Sequence, residues 1–229
     1  MRTIDATQGI QILDSRATAS LLSKVLWITT VGFLFTAFGA YLSPAVLGGI
    51  SYMGLFIVTF GLIFAINFAT RRSPALALVL FYAFTLLMGV EVGPLIKAYL
   101  HVPGGNSIVF QAAATTAGGM FVMGVVAQFV RFDYRKVYSY VMVALIGLIV
   151  MGVLSMFVHF ISPGLYAWAT LAIFSVLLLI DFMRLKDKGA GLSPVQISLS
   201  IYLDALNIFI ALLQIFGSSS GGRRDSNWR

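Results

Sequence analysis

The chain has 229 residues, of which 59% are hydrophobic and only 10% are charged, whereas an ordinary soluble domain has about 25% charged residues. This composition indicates a membrane protein. Cysteine is absent, which excludes disulfides, thiolate metal sites and cysteine nucleophiles. The net charge of +7 does not indicate a nucleic-acid partner, because Lys and Arg lie at the ends of apolar runs instead of clustering with aromatic residues on one face.

Long apolar runs recur along the chain, each of about the 20 residues that a helix needs to cross a bilayer. They are separated by short stretches rich in turn-forming and helix-breaking residues, such as "RRSP" and "HVPGGN". The fold class is therefore predicted to be an all-α membrane protein with seven transmembrane helices. The predicted spans are at about 22–42, 46–69, 75–97, 107–130, 137–160, 164–185 and 196–216.

The basic residues indicate how the chain is oriented. If the N-terminal tail at 1–21 is cytoplasmic, most loop Lys and Arg residues fall inside and only Lys97 falls outside, as the positive-inside rule requires. A single transmembrane domain at 22–217 then puts the polar tail at 218–229 outside, although it carries three arginines. A seventh segment that turned back would keep those arginines inside, but "LSIYLDALNIFIALLQIFG" has no internal Gly or Pro and favours a full span.

The seventh predicted span carries a stripe of polar residues on one helical face. Because amides and carboxylates find no partners in hydrocarbon, this helix is predicted to lie inside the bundle. Ordinary packing is the simpler interpretation for most of the stripe. The acid needs a further explanation, since a charge at the bilayer centre costs about 2.5–3.5 kcal/mol. The stripe consists of Gln196, Ser200, Asp204, Asn207 and Gln214, with Ala211 at the remaining step.

A second acid, Asp181, lies in the sixth span before a basic cluster. About ten residues join the last two spans, so they can form an antiparallel hairpin with Asp181 about 6 Å and Asp204 about 12 Å from the cytoplasmic ends. Two carboxylates that approach each other in a low-dielectric site do not both ionise easily, so they would share a proton and sense pH. In the alternative interpretation, Asp181 is a helix-end acid paired with Arg184 or Lys186.

Two further features of the spans suggest roles. Glu91, near the outer end of the third span, is a candidate for attracting cations to an outer mouth, although an interfacial acid with access to water is the simpler interpretation. Small residues within the spans are predicted to allow close helix packing, namely Gly54, Gly61, Gly118, Gly119 and Gly124.

The motif "IDFMRLK" followed by "LSIYLDALNIFIALLQIFG" resembles the signature of the Bax inhibitor-1 family, also called transmembrane Bax-inhibitor-motif proteins. The likeness extends from about residue 20 to 217 and includes the number of spans and the stretch "GPLIKAY". The chain is compact and has no eukaryotic retention signal. The resemblance therefore implies a bacterial member in the inner membrane.

The resemblance implies a fold with the seventh helix at the centre and a pH-sensitive calcium leak as the activity. In the family, acids on the sixth and seventh helices couple protonation to opening, and these correspond to Asp181 and Asp204. An arginine at the end of the second helix latches onto the sixth-helix acid, and Arg71, or its neighbour Arg72, corresponds to it. The alternative is a non-conducting membrane interaction protein that modulates a membrane-bound ATP-dependent protease or a stress response, since some bacterial relatives that lack one or both acids are linked to such a protease.

The chemistry of the acids is compatible with calcium as the transported ion. Calcium takes six to eight oxygen ligands, so two carboxylates with Asn207, backbone and water would form a weak, transient site from which the ion can leave. No resident cofactor is expected, and protons would act as the regulator. An enzyme is not expected, because Asp204 follows "IYL" and not the Gly-x-Gly setting of intramembrane aspartyl proteases.

Overall fold

The structure is a computed structural model that describes residues 6–44, 48–155, 162–187 and 191–221. Within these ranges the chain is built from seven long helices without β-strands, and each contains a segment long and apolar enough to span a membrane. The predicted fold class is confirmed. The helices are α1 (Ala6–Leu42), α2 (Gly49–Ala69), α3 (Pro74–Leu100), α4 (Gly105–Phe129), α5 (Tyr134–Ser155), α6 (Pro163–Lys186) and α7 (Pro194–Gly221).

Three of the helices begin at a Ser-Pro pair. The Ser73 and Ser162 hydroxyls each accept a hydrogen bond of 3.3 Å from a backbone N–H in the first turn of α3 and α6. At the start of α7, Ser193 and Gln196 exchange two hydrogen bonds, a capping box. Serine satisfies otherwise free backbone donors and proline fits the first helical position, so the local sequence sets these three boundaries.

The first and last helices of the chain, α1 and α7, extend beyond the predicted spans. The apolar part of α1 is Thr18–Leu42, but the helix itself begins at Ala6 and not near residue 22. Residues 6–17 contain no proline, and a helix does not have to end at the membrane surface. Similarly, α7 continues to Gly221. The predicted end of the fifth span, residue 160, lies outside the described residues.

Helix α7 occupies the centre of the bundle, as the family resemblance implies. It is the most buried of the spans and packs against α1, α3, α4 and α6. Helix α2 packs mainly on α3, and α5 packs mainly on α6 and is the least buried of the spans. The core is divided by α7 into two apolar clusters, one shared mainly with α2 and α3 and one shared mainly with α4 and α6.

The parallel helices α1 and α3 approach each other closely through glycines. A Cβ atom at Gly39 would clash with the Leu86 carbonyl, and one at Gly89 would clash with the Thr36 carbonyl.

The packing prediction for four other glycines was wrong, because a Cβ there would meet nothing within 4 Å in the described part of the chain. A Cβ at the fifth, Gly124, would make only ordinary contact with Phe182. Hydropathy does not reveal which face of a span meets a neighbour. The four glycines are Gly54, Gly61, Gly118 and Gly119.

Two lysines cap the C-termini of neighbouring parallel helices. Lys97, near the end of α3, donates to the Tyr41 carbonyl at 3.2 Å and to the Ser43 carbonyl at the end of α1. Lys186, at the end of α6, donates to the last carbonyls of α4, at 3.3 and 2.9 Å. A cation at a helix C-terminus satisfies free carbonyls and complements the helix dipole. These contacts hold the ends of each parallel pair at the same level.

Candidate functional site

The α6–α7 hairpin brings Asp181 and Asp204 together inside the bundle. Asp181 is 3% exposed and Asp204 is 5% exposed. Their carboxyl groups are close enough to interact directly, although one residue lies near the end of α6 and the other ten residues into α7. Antiparallel pairing of the two helices accounts for this geometry, since it sets both acids at similar depth.

Each acid of the pair has one oxygen that lacks a donor. The Oδ2 atoms of Asp181 and Asp204 are buried and accept no hydrogen bond from any group in the ranges that the structure describes. Leaving a buried polar atom unsatisfied costs about 1–3 kcal/mol, and more if the group is charged. A proton shared between the two carboxyls, or a cation bound by both, would satisfy these oxygens.

Arg184 provides the positive charge at the pair. Its Nη1 lies 3.2 Å from Asp181 Oδ1, and its side chain is only 18% exposed. The guanidinium also stacks over the ring of Tyr138 on α5, 4.0 Å from the centroid. This arrangement agrees with the alternative interpretation of the sequence, in which Asp181 is paired with a basic residue of its own helix.

The two predicted latch residues do not reach Asp181. Arg71 and Arg72 are exposed in the connection between α2 and α3, and neither forms an ion pair with any acid that the structure describes. The Arg72 guanidinium stacks 4.6 Å from the Phe68 ring of its own helix end. Helix α2 packs mainly on α3, and its last turn contacts the first turn of α7.

Besides Asp204 itself, one residue of the predicted polar stripe lies at the pair. The Ser200 side chain is a neighbour of the Asp181 carboxyl. The Asn207 amide instead donates to the Leu203 carbonyl of its own helix at 2.8 Å, and Gln214 is half-buried near the other end of α7.

Gln196 has a structural role at the start of α7. Besides closing the capping box, its amide donates to the Asn67 side chain of α2 at 3.0 Å. This bond ties the first turn of α7 to the last turn of α2. The simpler interpretation, packing and capping, therefore describes Gln196 in this structure.

Glu91 lies apart from the pair, on α3. It is half-buried and accepts a hydrogen bond of 2.6 Å from Thr59 of α2. Among the residues described, no group of three or more His, Cys, Asp or Glu side chains could hold a metal ion. Any cation at Glu91 or at the aspartate pair would therefore complete its coordination with backbone, amide or water oxygens.

A buried polar junction centred on Tyr202, which was not predicted from the sequence, joins three helices. The tyrosine hydroxyl lies 2.7 Å from Thr36 Oγ1, which is also 3.0 Å from the Thr85 carbonyl. The Tyr202 ring packs 5.0 Å from Phe33 and 6.0 Å from Phe84. A tyrosine inside an apolar span was the available signal, since a buried phenol needs a partner. The junction fixes α7 to α1 and α3, two residues from Asp204.

Comparison with known proteins agrees with this architecture. The model of the family described as "Inhibitor of apoptosis-promoting Bax1" matches residues 18–221. The chain belongs to the Bax inhibitor-1 family. The match includes all seven spans and both acids, so the resemblance predicted from the sequence is confirmed, and this Bax inhibitor-1 protein is a multi-pass membrane protein.

Bacterial relatives of this Bax inhibitor-1 protein cover nearly the same length. An uncharacterized protein of Campylobacter jejuni is 30% identical over 204 residues, which are 89% of this chain and 87% of the relative. One from Pseudomonas aeruginosa is 26% identical, covering 92% and 94%. A relative from Streptococcus pyogenes, described as an uncharacterized membrane protein, is 28% identical and covers 72% and 74%.

Proposed function

We propose that this Bax inhibitor-1 family protein is a pH-sensitive calcium leak channel of the bacterial inner membrane, with a cytoplasmic N-terminus. The observation that carries the proposal is the buried pair Asp181 and Asp204, in which each carboxyl has an oxygen without a donor. A purely structural role would be filled at lower cost by neutral side chains, because a buried carboxylate is expensive.

The charge balance at the pair explains how protons would regulate a cation. When both carboxyls are ionised, the pair and the Arg184 guanidinium together carry a net charge of −1. Protonation of one acid brings this net charge to zero. Calcium would therefore be attracted only to the fully ionised pair, and protons and calcium would compete for the same oxygens. The small number of protein oxygens favours weak, transient binding of the transported ion.

The burial of the pair supports a gate at this level of the bundle. A hydrated ion reaches the carboxylates only after neighbouring helices move apart, since both side chains are almost fully covered. Arg184, held between Asp181 and the Tyr138 ring, supplies the counter-charge of the closed arrangement. We assign this role to Arg184 and not to Arg71, because Arg71 does not reach the pair.

Calcium flux into liposomes that contain the purified protein, measured at several pH values, tests the proposal. Asp204→Asn removes the shared proton and one ionisable ligand, so its flux is expected to fall severalfold and to lose its pH dependence. Asp133→Asn is the matched control, because Asp133 is an exposed acid in the connection between α4 and α5 and its loss should leave the profile unchanged.

Two results would contradict the proposal. If Asp204→Asn reproduced the wild-type flux at every pH, the acid pair would have no part in conduction. If the folded wild-type protein gave no calcium flux at all, the alternative function would be favoured, a membrane interaction protein that modulates an ATP-dependent protease.

A further inference from the structure

An apolar groove opens on the surface of the bundle where α1 passes the first turns of α3 and α7. It has a volume of about 490 Å³. Its walls include Ile28 of α1, Pro74 and Leu78 of α3, and Pro194 of α7. Because α3 and α7 both begin here, the groove lies at the level where the bundle meets the membrane–water interface.

A second apolar groove lies directly beside the first. It has a volume of about 410 Å³ and is lined by residues of α1 that include Leu22 and Leu26. Trp27 lines both grooves and is 69% exposed, so its indole forms the ridge between them. Tryptophan is enriched at this level of membrane proteins, where its ring lies among lipid headgroups. Two adjacent apolar grooves suit a ligand with two hydrocarbon chains.

The rim of these grooves is positively charged. Lys24 lines the first groove, and Arg71 and Arg72 follow directly after Thr70, another of its lining residues. All three cations are exposed, and none forms an ion pair within the described ranges. A ligand with a negative headgroup would complement this charge.

We propose that the paired grooves beside Trp27 bind one acidic glycerophospholipid, with its acyl chains along the grooves and its phosphate group near Lys24 and Arg71. The apolar walls accept any lipid chain, so the preference for an acidic headgroup comes from the rim. Each basic residue close to a charged membrane surface contributes roughly a fivefold gain in binding. This site is separate from the acid pair and does not depend on calcium conduction.

Native mass spectrometry of the detergent-purified full chain, titrated with phosphatidylglycerol or phosphatidylcholine, tests the site. The wild type is expected to bind one phosphatidylglycerol at least about fivefold more tightly than phosphatidylcholine. In Lys24→Gln, the preference for phosphatidylglycerol over phosphatidylcholine should fall about fivefold. Lys24→Arg should retain the preference of the wild type. Trp27→Ala should weaken the binding of both lipids.

Arg131→Gln is the control, since Arg131 is an exposed cation in the connection between α4 and α5, away from the grooves. The proposal is overturned if the wild type binds both lipids equally, or if Arg131→Gln loses as much preference as Lys24→Gln. Variants that keep their secondary structure are the ones compared. The proposal is also overturned if the wild type retains a second protein copy in place of lipid.

Discussion

Arg184 is the residue on which the electrostatics of the acid pair depend. It lies 3.2 Å from Asp181 and 4.0 Å from the Tyr138 ring centre, so one side chain links α6 to the otherwise peripheral α5. A buried carboxylate that loses its counter-ion leaves an uncompensated charge, which costs more than the ion pair itself contributes. The effect of removing Arg184 should therefore depend on whether Asp181 can still ionise.

Arg184→Gln alone is expected to lower the free energy of unfolding by about 2 kcal/mol, since it removes a charge-assisted hydrogen bond and a cation–π contact. In an Asp181→Asn background the same substitution should cost less than half as much. Thermal unfolding of the four proteins in detergent measures this coupling. Equal costs in the two backgrounds would show that the guanidinium does not stabilise the carboxylate.

The two acids could be predicted from the sequence, but the arginine that pairs with one of them could not be chosen. Ionisable residues inside apolar runs stand out, and counting residues from the helix ends places Asp181 about 6 Å and Asp204 about 12 Å deep, near enough for their side chains to meet. Both Arg71 and Arg184 were compatible with the same sequence. The choice depends on whether α2 packs against α6, and contacts between helices distant in the sequence leave no periodic signal.

At the scale of helices, α1 and α3 approach each other closely, and this contact depends on glycine, which has no side chain to separate the two backbones. At Gly89, the space for a Cβ is occupied by the backbone of Thr36 and Ala40. Membrane helices gain little from hydrophobic exclusion, so close van der Waals contact between small residues contributes much of their association. An added methyl group would force the two backbones apart.

Gly89→Ala is therefore expected to destabilise the protein by about 1–3 kcal/mol through overpacking. Gly118→Ala is the matched control, because its Cβ would meet nothing and alanine favours a helix over glycine by about 1 kcal/mol. Thermal melting of both variants in the same detergent provides the comparison. A Gly89→Ala protein as stable as Gly118→Ala would contradict the close packing of α1 on α3.

The number and order of helices could be predicted from the sequence, but which face of each helix packs against another helix could not. Ser-Pro pairs define the starts of α3 and α6 to within one residue, whereas α3 ends three residues beyond its predicted span. Lipid-facing and protein-facing positions are both apolar, so Gly118 and Gly89 look alike in the sequence. The helical extension of α1 was also missed, because polar residues outside the membrane form a helix without an apolar signal.

At the scale of the whole molecule, positive charge is unevenly distributed between the two ends of the bundle. The connection between α2 and α3 carries Arg71 and Arg72. The connection between α4 and α5 contains Arg131 and is followed by Arg135 and Lys136 in the first turn of α5. These connections share one end, because alternate loops of an up-and-down bundle lie on the same side. The positive-inside rule then predicts that this end is cytoplasmic.

Single cysteines test this orientation, since the natural chain contains none. Asn106→Cys, at the start of α4, is expected to react with a membrane-impermeant maleimide in intact spheroplasts. Arg131→Cys, at the opposite end of α4, should react only after the membrane is permeabilised. The reverse pattern would invert the orientation, and with it the side from which ions approach the acid pair.

The central position of α7 has a consequence for how the protein is made. Synthesis proceeds from the N-terminus, so α7, the most buried of the described spans, leaves the ribosome after the helices that it packs against. Until its 28 residues enter the membrane, the half built on α1 and α3 and the half built on α4 and α6 lack their common partner. Closure of the bundle therefore waits for α7, and a product terminated before Pro194 would remain two loosely associated halves.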